Sequence, residues 1–131
     1  MHLIHVAIPV SDLEATQRFY LDGLGFARTH AFDGADGLRN VYVSDEAGTE
    51  LQFTYRPDEA EPVPTAPVHH RRQHIAVAVA DLDAAFDALV ETVDPRVLDP
   101  PGLEAESGSR IAFVADPDGH VVELVERPES A

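Results

Sequence analysis

The stretch Asp116-Pro-Asp-Gly-His-Val-Val-Glu-Leu-Val-Glu126 reads as a tight turn that leads into a short strand. Side chains alternate between the two faces of a strand, so Glu123 shares its face with Val121 and Val125. An ionised carboxylate among apolar neighbours is costly unless a positive charge meets it. By itself the stretch indicates either a solvated strand face or a metal ion or cationic partner at Glu123, and the rest of the chain favours the second.

The chain also repeats itself at an offset of 69 residues. The run His74-Ile-Ala-Val-Ala-Val-Ala-Asp-Leu-Asp-Ala84 matches His5-Val-Ala-Ile-Pro-Val-Ser-Asp-Leu-Glu-Ala15, with six of eleven positions identical and three more conservative. The last strands of the two halves align on a turn glycine that precedes a polar residue by four positions: Gly48 with Gln52, and Gly119 with Glu123.

Each half of the repeat predicts a strand, a helix and three further strands. In the first half, we expect strands at 3–10, 26–32, 38–44 and 49–55, and a helix that begins at the capping-box spacing of Ser11-Asp-Leu-Glu14. In the second half, we expect a helix over 82–93, a Pro/Gly-rich loop at 95–102 with a strand at 97–98 or near Leu103, and a strand at 110–115.

The proline-rich stretch after residue 56 has no periodicity and predicts a linker. We expect a single domain over 1–131, with module one at 1–56, the linker at 57–72 and module two at 73–131.

In the first strand, one apolar face is suited to packing under the helix; it carries Ile4, Val6, Ile8 and Val10.

The histidines of the two first strands share their faces with small side chains. His5 shares its face with Ala7, and His74 shares its face with Ala76 and Ala78, which leaves room for a cavity. With the polar residues of the last strands, the repeat supplies two imidazoles, one amide oxygen and one carboxylate. Such a nitrogen and oxygen set suits Zn, Ni, Co or Mn with space for substrate, so the repeat predicts a catalytic metal site.

The charge balance of the chain is strongly acidic. There are 24 acidic and nine basic residues among 131, a net charge of −15, and every basic residue is an arginine. This charge excludes nucleic acid and anionic membranes as partners, and it resembles the style of salt-accumulating halophiles, so we expect the fold to loosen at low salt. The absence of cysteine, of long apolar runs and of a signal-like N-terminus predicts a cytoplasmic protein.

Three features together resemble the vicinal oxygen chelate superfamily, and most closely its small glyoxalase I proteins: the histidine repeat, the run Phe19-Tyr20 followed by Leu24-Gly25-Phe26, and the run from Ile111 to Leu124. The resemblance implies an α+β fold in which two tandem βαβββ modules form a cupped mixed sheet around one divalent metal. It also implies a homodimer, often with swapped modules. Carried over by position, the metal ligands are His5, Gln52, His74 and Glu123.

The resemblance further implies a lyase chemistry. A substrate with neighbouring oxygens chelates the metal, which stabilises the enediolate formed next. In glyoxalase I, the hemithioacetal of a 2-oxoaldehyde and a thiol loses its C1 proton to a carboxylate, and the proton returns at C2 to give a 2-hydroxyacyl thioester. Glu123 is the expected base.

Several positions depart from the pattern of bacterial glyoxalase I. Gln52 stands where a glutamate is usual, and an amide can bind a metal but cannot act as a base. Glu50 lies two residues away on the same face and is the alternative, although we place it at the rim. Pro9 replaces an arginine and Arg56 replaces an asparagine, so Arg56 is the substrate-binding candidate and the thiol stays open.

Other members of the superfamily give alternative interpretations. The ligand set also resembles methylmalonyl-CoA epimerase, a ring-cleaving dioxygenase would hold Fe(II) without Gln52, and drug-sequestering relatives lack the metal set. We interpret Arg71 and Arg72 either as residues that attract an anionic substrate or as residues that neutralise nearby acidic charge. The remaining histidines are interpreted as linker, surface or turn residues: His2, His30, His69, His70 and His120.

Overall fold

The computed structural model describes residues 1–57 and 70–129. Its contacts divide the chain into two compact units, Met1–Val63 and Pro64–Ala131. Most of the expected linker lies outside the described residues, so the module boundaries at 56 and 73 stay a prediction. Among the described residues, no helix has both the length and the apolar character needed to span a membrane.

The first unit is a four-stranded sheet with one short helix. Strand β1 (His5–Pro9) precedes helix α1 (Leu13–Gln17), which continues as a π-helical segment over Arg18–Gly23. Strands β2 (Ala27–Asp33), β3 (Arg39–Ser44) and β4 (Glu50–Tyr55) follow. The sheet order is β1-β4-β3-β2, with β1 parallel to β4 and the other pairs antiparallel.

The second unit repeats this topology. Its elements are β5 (Ile75–Ala78), α2 (Leu82–Val93), β6 (Arg96–Leu103), β7 (Arg110–Ala115) and β8 (Val121–Glu126). The sheet order is β5-β8-β7-β6, again with only the first pair parallel. The two four-stranded mixed sheets with few helices confirm the expected α+β, glyoxalase-like fold.

The turns before the last strands are built alike in the two units. Gly48 and Gly119 adopt φ values of 94° and 91°, which favour glycine. In one turn the Asp45 carboxylate accepts from the backbone N–H groups of residues 47 and 49, and in the other the Asp116 carboxylate accepts from those of residues 118 and 120. The Asp-Pro-Asp-Gly stretch is therefore a turn that aims β8, as the sequence predicts.

One apolar layer in each unit packs between sheet and helix. In the first unit, Phe19, Tyr20 and Phe53 are buried, and Tyr20 and Phe53 lie with ring centroids 5.1 Å apart. In the second unit, Leu82 and Leu89 of α2 are buried, as are Val122 and Leu124 of β8. The alternation along β8 thus buries one face under the helix and leaves Glu123 on the other.

The structure corrects three local expectations. Helix α1 is capped by Asp12, whose carboxylate accepts from Ala15 N–H at 3.0 Å, and not by Ser11. The apolar face of β1 is buried only at Ile8 and Val10, whereas Ile4 and Val6 are exposed. Residues 96–102 of the expected loop belong to strand β6, which is longer than the short strand expected at 97–98 or near Leu103, because a sheet edge tolerates prolines that cannot donate to the ladder.

Candidate metal centre

The second unit brings two of the predicted metal ligands together. His74 directly precedes β5, and Ala76 follows it by two positions. Ala76 pairs in register with Glu123 of β8. Because side chains alternate along a strand, His74, Ala76 and Glu123 project from the same face of the sheet. His74 Nε2 lies 3.2 Å from Glu123 Oε1, and the two side chains are 22% and 13% exposed. The pair is therefore sheltered but accessible from one side.

The other ring nitrogen of His74 fixes which atom faces Glu123. His74 Nδ1 lies 2.9 Å from the backbone carbonyl oxygen of His70. A carbonyl oxygen only accepts, so Nδ1 carries the hydrogen and a neutral ring presents its Nε2 lone pair to the carboxylate. Two acceptors at this distance repel each other unless a proton or a cation lies between them. The pair therefore fits either a proton or a divalent metal between the two atoms, and in both cases the carbonyl is the partner that orients the histidine.

An apolar floor lies beside this pair. Phe113 of β7 is paired in register with Glu123, and its ring meets that of His74 edge-on at 5.2 Å between centroids. Phe113 belongs to a buried cluster on this face with Ile111 and Val121. Buried apolar neighbours lower the local dielectric and strengthen charge interactions at the pair.

A cavity of about 430 Å³ opens next to this floor within the second unit. Its lining includes Ile111 from the apolar cluster, Leu103 from β6, and the charged residues Arg71, Asp99 and Glu104. This volume falls in the range of small-molecule sites. His74 and Glu123 do not line this cavity, and Ile111 is the residue that it shares with the apolar floor beside them.

The first unit carries the other two predicted ligands on one face. His5 pairs in register with Glu50, and Ala7 pairs with Gln52, so His5 and Gln52 are diagonal neighbours on adjacent strands. The amide Nε2 of Gln52 donates to Asn40 Oδ1 at 2.8 Å. This bond commits the nitrogen of the amide and leaves its oxygen as the atom available to a metal.

Glu50 shares that face but is held by other groups. Its carboxylate accepts a hydrogen bond from Thr29 Oγ1 and lies 3.8 Å from His30 Nδ1. His30 in turn stacks on Tyr42, with ring centroids 4.1 Å apart. Glu50 is therefore anchored toward β2, whereas Gln52 has its oxygen free of this network.

Arg56, the substrate-binding candidate, contacts an aspartate in the first unit. Its Nη2 lies 2.6 Å from Asp36 Oδ2, and its Nη1 donates to the Asp36 carbonyl at 3.1 Å. The backbone N–H of Leu38 and then this guanidinium lower the pKa of Asp36. Binding an anionic substrate at Arg56 would have to compete with this ion pair.

Sequence reasoning missed two groups near His74. His70, interpreted as a linker residue, is a half-buried turn residue whose Nε2 lies 2.9 Å from Asp99 Oδ2. Asp99, expected in a loop, lies in β6 opposite Phe113. The separation of 29 residues between His70 and Asp99 gives no local signal, although a second histidine four residues before a predicted ligand was a visible hint.

The predicted ligands belong to different units: His5 and Gln52 to the first, His74 and Glu123 to the second. Among residues 1–57 and 70–129, no cluster of three or more His, Asp or Glu side chains is assembled for a metal. The four-ligand set therefore stays a prediction, and the pair in the second unit is its best-formed half.

Comparison with known proteins places the chain in a family. Residues 2–124 match the model of the Glyoxalase/Bleomycin resistance protein/Dioxygenase superfamily. The chain belongs to this superfamily. This match confirms the family resemblance read from the sequence.

Individual relatives include enzymes and binding proteins. A probable lactoylglutathione lyase from Synechocystis is 30% identical over 96% of this chain and 95% of its own length. The crystal structure of glyoxalase I from Zea mays matches with a TM-score of 0.80 at 22% identity, covering 98% of this chain and 45% of that one, and so supports the fold. TnmS3, an antibiotic binding protein from Streptomyces sp. CB03234, matches with a TM-score of 0.72 at 25% identity over 98% of this chain and 97% of that one.

Proposed function

We propose that this chain is a lyase of the glyoxalase I type, which isomerises the hemithioacetal of a 2-oxoaldehyde and a thiol to a 2-hydroxyacyl thioester. The observation that carries the proposal is the pair of His74 Nε2 and Glu123 Oε1, 3.2 Å apart beside an apolar floor. Because Nδ1 of His74 bonds the His70 carbonyl, Nε2 is the ring nitrogen that can bind a metal beside Glu123. The name of the Synechocystis relative points to the same reaction.

The proposed cofactor is one divalent cation held by His5, Gln52, His74 and Glu123. Two imidazoles, one amide oxygen and one carboxylate are compatible with Zn, Ni, Co or Mn. When bound, the cation would stabilise the negative charge that develops on the substrate oxygens. The hydrogen bond from the Gln52 side-chain amide to Asn40 supports this set, because it occupies the nitrogen of Gln52 and leaves the oxygen for a metal.

The proton transfer belongs to Glu123. Its carboxylate would take the proton from C1 of the hemithioacetal and return it to C2, while the hydroxyl proton on the C1 oxygen moves to the C2 oxygen, so that substrate and product are isomers. A positioned carboxylate within hydrogen-bond reach of the carbon acid contributes about 10²–10⁴ in rate. The buried floor of Ile111, Phe113 and Val121 limits water at the carboxylate, which keeps the proton available for return.

The remaining parts of the proposal concern substrate and assembly. Arg56 stays the substrate-binding candidate and would have to leave Asp36 to meet an anionic thiol. The thiol-bearing part of the substrate would occupy the cavity of the second unit that Ile111, Leu103 and Arg71 help to line. We propose a cytoplasmic homodimer, in which the two ligand pairs converge from modules of one chain or of two.

The test is an assay of metal-reconstituted protein in high salt with methylglyoxal and a panel of thiols, in which the formation of thioester is measured. We expect turnover in the wild type and a loss of about 100-fold or more in kcat for Glu123→Gln at saturating metal. Glu50→Gln removes a carboxylate from the first unit that is anchored to Thr29, and we expect it to keep most of the activity. Full activity in Glu123→Gln would remove Glu123 as the base.

A second candidate reaction is tested in the same assay. Gln52 supplies an amide where bacterial glyoxalase I usually has a second carboxylate, and the set of two His, one Gln and one Glu also resembles methylmalonyl-CoA epimerase. Incubation of methylmalonyl-CoA in D₂O would reveal epimerisation as deuterium uptake at C2. Uptake there, without any thioester from methylglyoxal, would replace the lyase proposal by the epimerase.

A further inference from the structure

A short turn immediately before His74 is fixed to the edge strand of the second sheet. His70 begins this turn, and its Nε2 lies 2.9 Å from Asp99 Oδ2 in β6. A carboxylate only accepts, so His70 donates from Nε2. The ring of His70 also meets Phe113 edge-on at 4.9 Å between centroids. The side chain of His70 is thus held by its hydrogen bond to Asp99 and by its ring contact with Phe113.

Asp99 occupies an irregular place in β6. It pairs with Phe113, and the register between β6 and β7 shifts both before and after it, toward Val97 and toward Gly102. Such bulges turn a side chain away from the regular pleat, and the two prolines after Asp99 cannot donate to the ladder. The same carboxylate oxygen lies 3.3 Å from Arg71 Nη2, so Asp99 holds two consecutive residues of the turn.

The consequence of this arrangement lies at the carbonyl group of His70. That carbonyl accepts from His74 Nδ1 at 2.9 Å and so sets which nitrogen of His74 faces Glu123. A partner of this kind fixes both the tautomer and the ring orientation of a metal-binding histidine. A carbonyl at the start of a turn can do so only if the turn itself is held in place.

We propose that Asp99, acting through the side chain of His70, is a positioning residue for His74: it holds the His70 carbonyl where it orients the imidazole toward Glu123 and the metal. The inference rests on the proposed function, because it gives Asp99 and His70 the role of orienting His74, which is itself a proposed metal ligand. The alternative is that His70 and Asp99 form only a partly exposed ion pair, which contributes little to stability and leaves metal binding unchanged.

The experiment measures Co²⁺ affinity, which does not depend on turnover. The wild-type protein is titrated with Co²⁺ alone, and the visible absorption band reports both Kd and coordination. We expect Asp99→Asn and His70→Phe to weaken Co²⁺ binding by about 10- to 100-fold, as is usual for partners behind a metal ligand. His70→Phe keeps an aromatic edge against Phe113 and removes only the donor to Asp99. His70→Gln, which keeps an N–H near the position of Nε2, should restore most of the affinity.

The matched control is Asp83→Asn. Asp83 forms a paired salt bridge with Arg110 in the same unit, so this variant loses the same charge and a comparable ion pair without touching the turn. We expect it to bind Co²⁺ like the wild type. In a double-mutant cycle, Asp99→Asn should add little to His70→Phe, because both changes release the same carbonyl.

Each outcome decides between the two proposals. If the wild type binds no Co²⁺ in stoichiometric amount, both the metal site and the inference fall. If the wild type binds Co²⁺ and Asp99→Asn binds it equally well, the metal site stands and the positioning role is wrong. In that case a change in KM alone for Asp99→Asn would indicate that Asp99 only lines the cavity. Melting curves exclude unfolding as the cause of any loss.

Discussion

At the scale of single residues, the sequence could identify side chains whose position is repeated. His5 and His74 recur at the same place in the two halves, and the turn glycine fixes the place of Glu123 in its strand. The repeat cannot identify residues that lack a counterpart. His70 and Asp99 have no equivalents in the first half, and they meet at 2.9 Å where the register of β6 is irregular opposite Phe113. Tertiary contact, and not local pattern, creates that pair.

Whether Glu50 or Gln52 is the predicted metal ligand of β4 also depends on the contacts of single residues. The sequence places both on one face of a strand, and alternation cannot separate them. The structure distinguishes their partners: Glu50 accepts from Thr29, whereas Gln52 donates to Asn40 and keeps its oxygen for other contacts. We therefore retain Gln52 in the predicted ligand set.

At the scale of elements, strong periodicity was sufficient for most strands and both helices. Strand β7 has the predicted bounds, and β2, β3 and β4 agree within one residue. The full length of strand β6 could not be predicted because Asp99-Pro-Pro-Gly102 carries the signals of a loop. Its edge position explains the exception, since an edge strand can lose ladder donors to solvent at little cost.

The start of α2 allows a stability test at this scale. Asp81 accepts from Ala84 N–H at 3.1 Å, and Glu126 of β8 accepts from Leu82 N–H at 2.8 Å, so the first turn of the helix is capped from two directions. We expect Asp81→Ala to lower the free energy of unfolding by about 1 kcal/mol, because an N-terminal donor loses its partner. Urea unfolding followed by circular dichroism measures the change.

A control within the same helix isolates the cap. Asp87→Ala removes an equal charge from an exposed position inside α2, where alanine is the better helix former, and should leave stability unchanged or slightly higher. Equal destabilisation by Asp81→Ala and Asp87→Ala would mean that lost charge, and not the cap, sets the effect.

At the scale of the whole molecule, the charge of the chain is the dominant feature. The described arginines include four that form ion pairs with carboxylates: Arg39, Arg56, Arg71 and Arg110. Even with every arginine paired, 24 acidic residues against nine basic leave a net charge of −15. Self-repulsion of this size opposes the compact state, and dissolved salt screens it over about 10 Å at 0.1 M and about 3 Å at 1 M.

The salt dependence of stability tests this feature. We expect the melting temperature to rise between dilute buffer and molar KCl, because screening weakens repulsion in the folded state more than in the expanded chain. Sucrose serves as the control, since it favours compact states without screening charge. A melting temperature that is the same in dilute buffer and in molar KCl would refute the halophilic interpretation.

We propose that each duplicated half supplies one histidine and one further ligand, so that a single divalent cation needs both halves. The most direct measurement is the metal content of the wild type and of His5→Ala and His74→Ala, one variant from each unit, with His30→Ala as the control for loss of a histidine. We expect stoichiometric metal in the wild type and in His30→Ala and none in the other two at the same metal concentration. Wild-type metal affinity in either His5→Ala or His74→Ala would contradict the account.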